Sequence, residues 1–122
     1  MTKILIKRPD NNALEEATIR DIGGWNNISE IVGEGKRVTL DRVHLSNNPY
    51  ELTLYVDDDG LPKDLAPNFL IHTNNYIYPV QMIVGVAVFA RGKIIDDDVV
   101  YEDLTPKDRA YINWLITEGK IR

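Results

Sequence analysis

The chain predicts an α+β fold: a mostly antiparallel sheet of about five strands, with one short helix and a C-terminal helix packed on it. Three observations predict this. Short alternating apolar segments stand between turn residues, as in Leu52-Thr53-Leu54-Tyr55-Val56 before Asp57-Asp58-Asp59-Gly60. The stretch from Tyr76 to Ala90 is almost continuously apolar, as a strand covered on both faces must be. The last apolar stripe recurs at helical spacing behind Thr105-Pro106, a natural helix start. With 122 residues, 43% hydrophobic and 27% charged, the chain is expected to form one domain over 1–122.

The elements follow in order. Lys3 to Lys7 reads as a first strand, and Pro9-Asp10-Asn11-Asn12 turns it back into Glu15 to Arg20. After Gly23-Gly24, Asn27 and Glu30 have the spacing of a capping box. A short helix through Ile28, Ile31 and Val32 should start there and stop at Gly33 and Gly35. Val38 to Leu40 and Val43 suggest a third strand, and Leu52 to Val56 a fourth. Leu61 to Thr73 holds two prolines and reads as an ordered loop that buries Leu65, Phe69 and Ile71. Tyr76 to Ala90 forms one strand or two, with Gly85 as a bulge or close-approach point. Thr105 caps the closing helix, which ends at Gly119. Trp114 and Leu115 are expected to cover Val84, Val86 and Val88, with Trp114→Ala costing about 3–5 kcal/mol. Were Trp114 exposed instead, the stripe would mark an interface, and an oligomer or partner contact through this helix would be the better reading.

Composition removes several classes of chemistry. With no cysteine, thiolate sites and a cysteine nucleophile are absent, and two histidines are too few for an ordinary zinc site. The net charge of −5 disfavours a partner bound through its phosphates, so nucleic acid is not expected. The N-terminus lacks a signal-peptide pattern and the longest apolar run is too short to span a bilayer. The expected location is the cytoplasm, with no membrane partner. Asp57, Asp59 and Gly60 resemble part of a calcium loop, but Tyr55 and Ala66 occupy positions that need oxygen ligands. Gly33 to Arg37 lacks phosphate-loop spacing, although Gly35-Lys36 could present an anion with backbone donors and a cation. No nucleophile–base spacing is recognisable, so the chain is expected not to be an enzyme and to need no cofactor.

The unusual polar signal is asparagine, which occurs in four pairs at 11–12, 26–27, 47–48 and 74–75, with Asn68 besides. Turn structure is the ordinary use of such residues. Several lie beside aromatics or histidine, however, and amides with aromatic faces are what a nucleobase pocket uses. Trp25, Asn47, Asn48, Tyr50, Asn68, His72, Tyr76 and Tyr78 are therefore the candidate ligand-binding residues. The acidic clusters Asp57 to Asp59 and Asp96 to Asp98 read first as solvated turns. A rival reading joins them into an acidic face that mimics DNA or inhibits a basic partner protein, which requires them to be adjacent.

A spaced series of motifs covers nearly the whole chain: Ile4, Ile6 and Pro9, then Ile31-Val32-Gly33, Asp59-Gly60-Leu61-Pro62, Asn68, Ile83-Val84-Gly85-Val86 and Leu104-Thr105. In order and spacing this series resembles the family designated domain of unknown function 3846, small proteins of phages, plasmids and their bacterial hosts. The resemblance implies a mobile-element origin and carries no catalytic residues with it. The function expected from it is that of a non-enzymatic accessory protein acting stoichiometrically, antagonising host defence by sequestering a nucleotide-type signal. A protein–protein inhibitor using the acidic turns is the alternative, and a nucleotide-processing enzyme ranks behind both.

Overall fold

The computed structural model describes residues 1–11, 13–43, 52–60, 62–72 and 80–117, the side chains at 72, 80, 94 and 117 excepted. Among the described residues eight strands and two helices run in the order β1 (Thr2–Lys7), β2 (Glu15–Ile19), α1 (Gly24–Val32), β3 (Leu40–Val43), β4 (Leu52–Asp57), β5 (Pro67–His72), β6 (Val80–Val84), β7 (Ala87–Ile95), β8 (Asp98–Glu102) and α2 (Pro106–Thr117). The architecture is the expected α+β, and every described strand pairing is antiparallel. The main sheet has the order β2-β1-β7-β4-β3, with β8 also on β7, while β5 and β6 form a separate hairpin.

Strand β7 is the spine. Its first half pairs with β1 on one side and β4 on the other, and its second half pairs with β8. Alternation along β7 splits the core in two, because successive side chains point to opposite faces. Ala87 and Phe89 face the β5–β6 hairpin and α2, where Phe69, Ile71, Ile83, Ile112 and Leu115 close the layer. Phe69 stacks on Phe89 at 6.2 Å. Val86, Val88 and Ala90 face α1 with Ile4, Ile6 and Ile28. The expected central strand is thus real in its second half only.

Gly85 divides the stretch into β6 and β7. It adopts a φ of 73°, which favours glycine, and a Cβ there would lie 2.8 Å from the tip of the Leu65 side chain and push it aside. The segment read as an ordered loop contains β5, whose two prolines sit at or before its edge, where no ladder donor is needed.

Helix α1 starts earlier than its capping-box spacing implied, at Gly24 behind a left-handed Gly23. Asn27 is therefore inside the helix, where its Oδ1 accepts the Arg20 N–H, and Glu30 pairs with Arg37. The box lost because docking decides this end. Gly24 is packed so closely against Ile19 and Tyr101 that a Cβ would come within 2.9 Å of both.

Helix α2 begins as expected: Thr105 Oγ1 accepts the Asp108 N–H, and Asp108 Oδ2 accepts the Thr105 N–H. Its buried stripe is Asp108, Ile112, Leu115 and Ile116, whereas Trp114 is 46% exposed and stacks on Tyr111. The expected Trp114 contact with Val86 and Val88 is corrected on both sides, since those valines face α1. Apolar residues cover more than half of this helix, and the aliphatic ones take the core. The large cost expected of Trp114→Ala does not apply to a side chain so exposed.

The segment after β7 forms a hairpin with β8, closed by Asp96 and Asp97 at φ values of 50° and 67°. Two left-handed residues are what a two-residue hairpin turn needs, and Asn-Gly serves it better than Asp-Asp. Asp96→Asn combined with Asp97→Gly is expected to stabilise the protein by about 1 kcal/mol, raising Tm by roughly 4 °C in a thermal melt.

Candidate functional site

Four segments distant in sequence meet at one cleft of about 420 Å³ beside the end of α1. Val32, Gly33, Glu34, Lys36 and Val38 form one wall, and Asp57, Lys63, Leu65 and Ala66 form the other. Gly85 and Val86 lie at its base, and Pro9 and Asp10 close one end. These are the places where the motif series runs: Pro9, Val32-Gly33, the turn around Asp59-Gly60, and Gly85-Val86.

Local chemistry fixes each wall. The α1 wall turns on Gly33, whose Cβ would overlap the carbonyl oxygen of Lys36. Gly33 and Gly35 return their N–H groups to Ser29 and Glu30, and Glu34 lies at a φ of 53°. Ser29 then holds the chain leaving the turn, with its Oγ accepting the Val38 N–H and donating to the Val38 carbonyl. On the facing wall, Asp57 Oδ1 accepts the Asp59 N–H and Oδ2 takes the Lys63 ammonium at 2.8 Å. The Asp57 side chain is 4% exposed and that of Lys63 is 44%, so the ion pair has one buried end and one open to the cleft.

Beneath the cleft sits the Asn68 clasp. Asn68 Nδ2 donates to the carbonyls of Lys7 and Gly85, and Oδ1 accepts the buried Lys7 ammonium at 2.8 Å. One side chain thus ties β1 to the β6–β7 hinge. Its amide is spent on the fold, which places it under the cleft as support.

The other candidate residues distribute as follows. Trp25, on α1, lies edge-on to Tyr55 at 5.4 Å, with the Arg42 guanidinium 5.2 Å over its ring. It belongs to the α1 layer, and Asn68 to the hairpin layer on the opposite face of the sheet, so these two do not share a pocket. Asn47, Asn48, Tyr50, Tyr76 and Tyr78 lie outside the described residues. For His72 only its place at the end of β5 is described. Behind Trp25, the Tyr55 and Tyr101 hydroxyls meet at 3.3 Å. Burial pushes the Tyr101 phenol well up, the Tyr55 hydrogen bond adds to this, and Arg42 counters it in part.

The two acidic turns stand at opposite ends of β7. The β4–β7 register carries Asp57 to the level of Val86, whereas Asp96 follows Ile95 at the far end. Nine residues at about 3.3 Å each put roughly 30 Å between them. The adjacency that a single acidic face requires is not present.

Comparison of the chain with protein-family models, curated proteins and solved structures finds no match in any of the three. Among the described residues no group of acidic and histidine side chains is arranged to hold a metal ion. No described helix is long and apolar enough to cross a membrane.

Proposed function

We propose that the protein acts stoichiometrically, as an accessory protein of a mobile element that sequesters a small nucleotide-type ligand in the α1 cleft. One observation carries the reading: three of the motif segments, at Pro9, Val32-Gly33 and Gly85-Val86, meet at a preformed cleft held by a glycine turn, the half-buried Asp57–Lys63 ion pair and the Asn68 clasp. About 420 Å³ is within the range of small-molecule sites, and preformed sites avoid the ordering cost of binding. Val32, Val38, Leu65 and Val86 offer apolar surface to a base, and Lys36 and Lys63 in the same lining offer cations to a phosphate. Asp10 and Glu34 on the same cleft repel dense negative charge. The favoured ligand therefore carries one or two phosphate charges, as cyclic and ADP-ribose-type nucleotides do. The mobile-element origin rests on the motif series alone.

A thermal-shift series with cyclic mononucleotides, cyclic dinucleotides and ADP-ribose tests this. A ligand at a hundred times its Kd should stabilise the fold by about 2.7 kcal/mol. Ala66→Trp, which fills the cleft from an exposed lining position, should abolish the shift while leaving the protein folded. No shift with any nucleotide at millimolar concentration, or a shift that survives Ala66→Trp, would count against the reading.

A further inference from the structure

We infer that the α1 cleft recognises its ligand by apolar contact and phosphate charge and leaves the edge of the base unread, so that adenine and guanine nucleotides of one phosphate geometry bind alike. The inference rests on the nucleotide reading of that cleft and adds its selectivity. A pocket discriminates strongly between bases when the wrong one leaves a buried donor or acceptor of the protein unpaired. Around this cleft those groups are already paired within the chain. On the α1 wall, the Gly33, Glu34 and Gly35 N–H groups return to the carbonyls of Ser29, Ile31 and Glu30, and the Lys36 N–H donates to the Gly33 carbonyl. The Val38 N–H goes to Ser29 Oγ. The backbone donors expected of Gly35-Lys36 are thus taken, and the turn offers an anion the Lys36 side chain instead.

The facing wall follows the same pattern. The Gly60 N–H donates to the Asp57 carbonyl, the Lys63 N–H to that of Asp59 and the Leu65 N–H to that of Gly60. Both Asp57 carboxylate oxygens are engaged, one by the Asp59 N–H and the other by the Lys63 ammonium. At the bottom, the Gly85 N–H donates to the Ala66 carbonyl, and the Gly85 carbonyl accepts from Asn68 Nδ2. Among the described residues no buried side-chain nitrogen or oxygen lacks a partner. The lining presents a ligand with the half-buried Val38 and Leu65 and with the exposed charges of Asp10, Glu34, Lys36 and Lys63. An exposed ammonium still attracts a phosphate. An exposed carboxylate that takes a base amino group gives up water to do so, and the net gain is small.

Equilibrium dialysis of the full chain against 3′,5′-cyclic AMP and cyclic GMP, and against cyclic di-AMP and cyclic di-GMP, tests the inference. Within each pair the dissociation constants should agree to about threefold, where a site that hydrogen-bonds the base would separate them by roughly ten-thousand-fold. Adenosine and guanosine, which lack the phosphate, should bind at least about tenfold more weakly than the cyclic mononucleotides. Lys36→Gln should weaken both members of a pair by the same factor. Asp10→Asn combined with Glu34→Gln should tighten both without separating them. A preference of more than about tenfold for either base overturns the inference and leaves the nucleotide reading standing. A base preference that changes in the Asp10→Asn, Glu34→Gln variant overturns it too, because those carboxylates would then be reading the edge. Retention of none of the four nucleotides at millimolar concentration overturns the nucleotide reading itself, and the inference with it.

Discussion

Replacing Asn68 by Ala is expected to lower the unfolding free energy by about 3–5 kcal/mol, read by urea denaturation. The single amide satisfies the carbonyls of Lys7 and Gly85 and accepts from the Lys7 ammonium. A buried acceptor left without its donor costs about 1–3 kcal/mol, and a hydrogen bond to a charged group contributes about 1.5–3. The alanine variant loses all three at once. Asn68→Asp separates the contributions, since it keeps an acceptor for Lys7 but turns a carboxylate oxygen toward two carbonyls. It should be no more stable than Asn68→Ala. An aspartate variant as stable as the parent would show that the bridge between the two carbonyls contributes nothing.

Asp108→Ala should cost about 3 kcal/mol. The carboxylate closes the α2 cap with Thr105 and takes both ends of the Arg91 guanidinium at 2.9 Å. Loss of a cap costs about 1 kcal/mol, and opening a paired, mostly buried ion pair adds to it. A pH dependence follows. Burial alone would raise the Asp108 carboxyl, but the Arg91 and Thr105 donors outweigh it and hold it below the usual carboxylate range. A group depressed in the folded state contributes fully above its unfolded value, near 3.9, and loses that contribution as pH falls through the folded value. The stability gap between the parent and Asp108→Ala should therefore narrow on acidification below about pH 4. A gap constant from pH 6 to pH 2 would exclude the ion pair as the source.

The fold class, the first four strands and the α2 cap were legible in the sequence because each is written locally, in alternation or in a side chain that meets its own backbone. What was not legible depended on distant partners. β5 hides behind prolines that only an edge tolerates, and the start of α1 is set by the packing of Gly24 on Tyr101. Trp114 lies outside because the aliphatic residues of α2 fit Phe89 better, which no periodicity reveals. The same limit applies to the site. Asparagine beside aromatics pointed toward Trp25 and Asn68, which the sheet separates. The cleft, by contrast, draws Pro9, Val32-Gly33 and Gly85-Val86 from the motif series and sets beside them the Asp57–Lys63 ion pair, which only the fold brings there. The positions of Gly33 and Gly85 within that series were the available signal.

The order of strands around β7 also governs how the chain can be made. β1 and β2 leave the ribosome first, and β3 and β4 follow, yet among the described residues the two pairs are joined in the sheet only through β7. Until Ala87 to Phe89 have been synthesised, Leu5 and Leu54 lack Phe89, the strand partner they share, and the main sheet cannot close. Pairings that span most of the chain form late and slowly. A nascent chain stopped before β7 would hold three hairpins, β1–β2, β3–β4 and β5–β6, with apolar faces uncovered, the kind of species on which chaperones act and proteases feed.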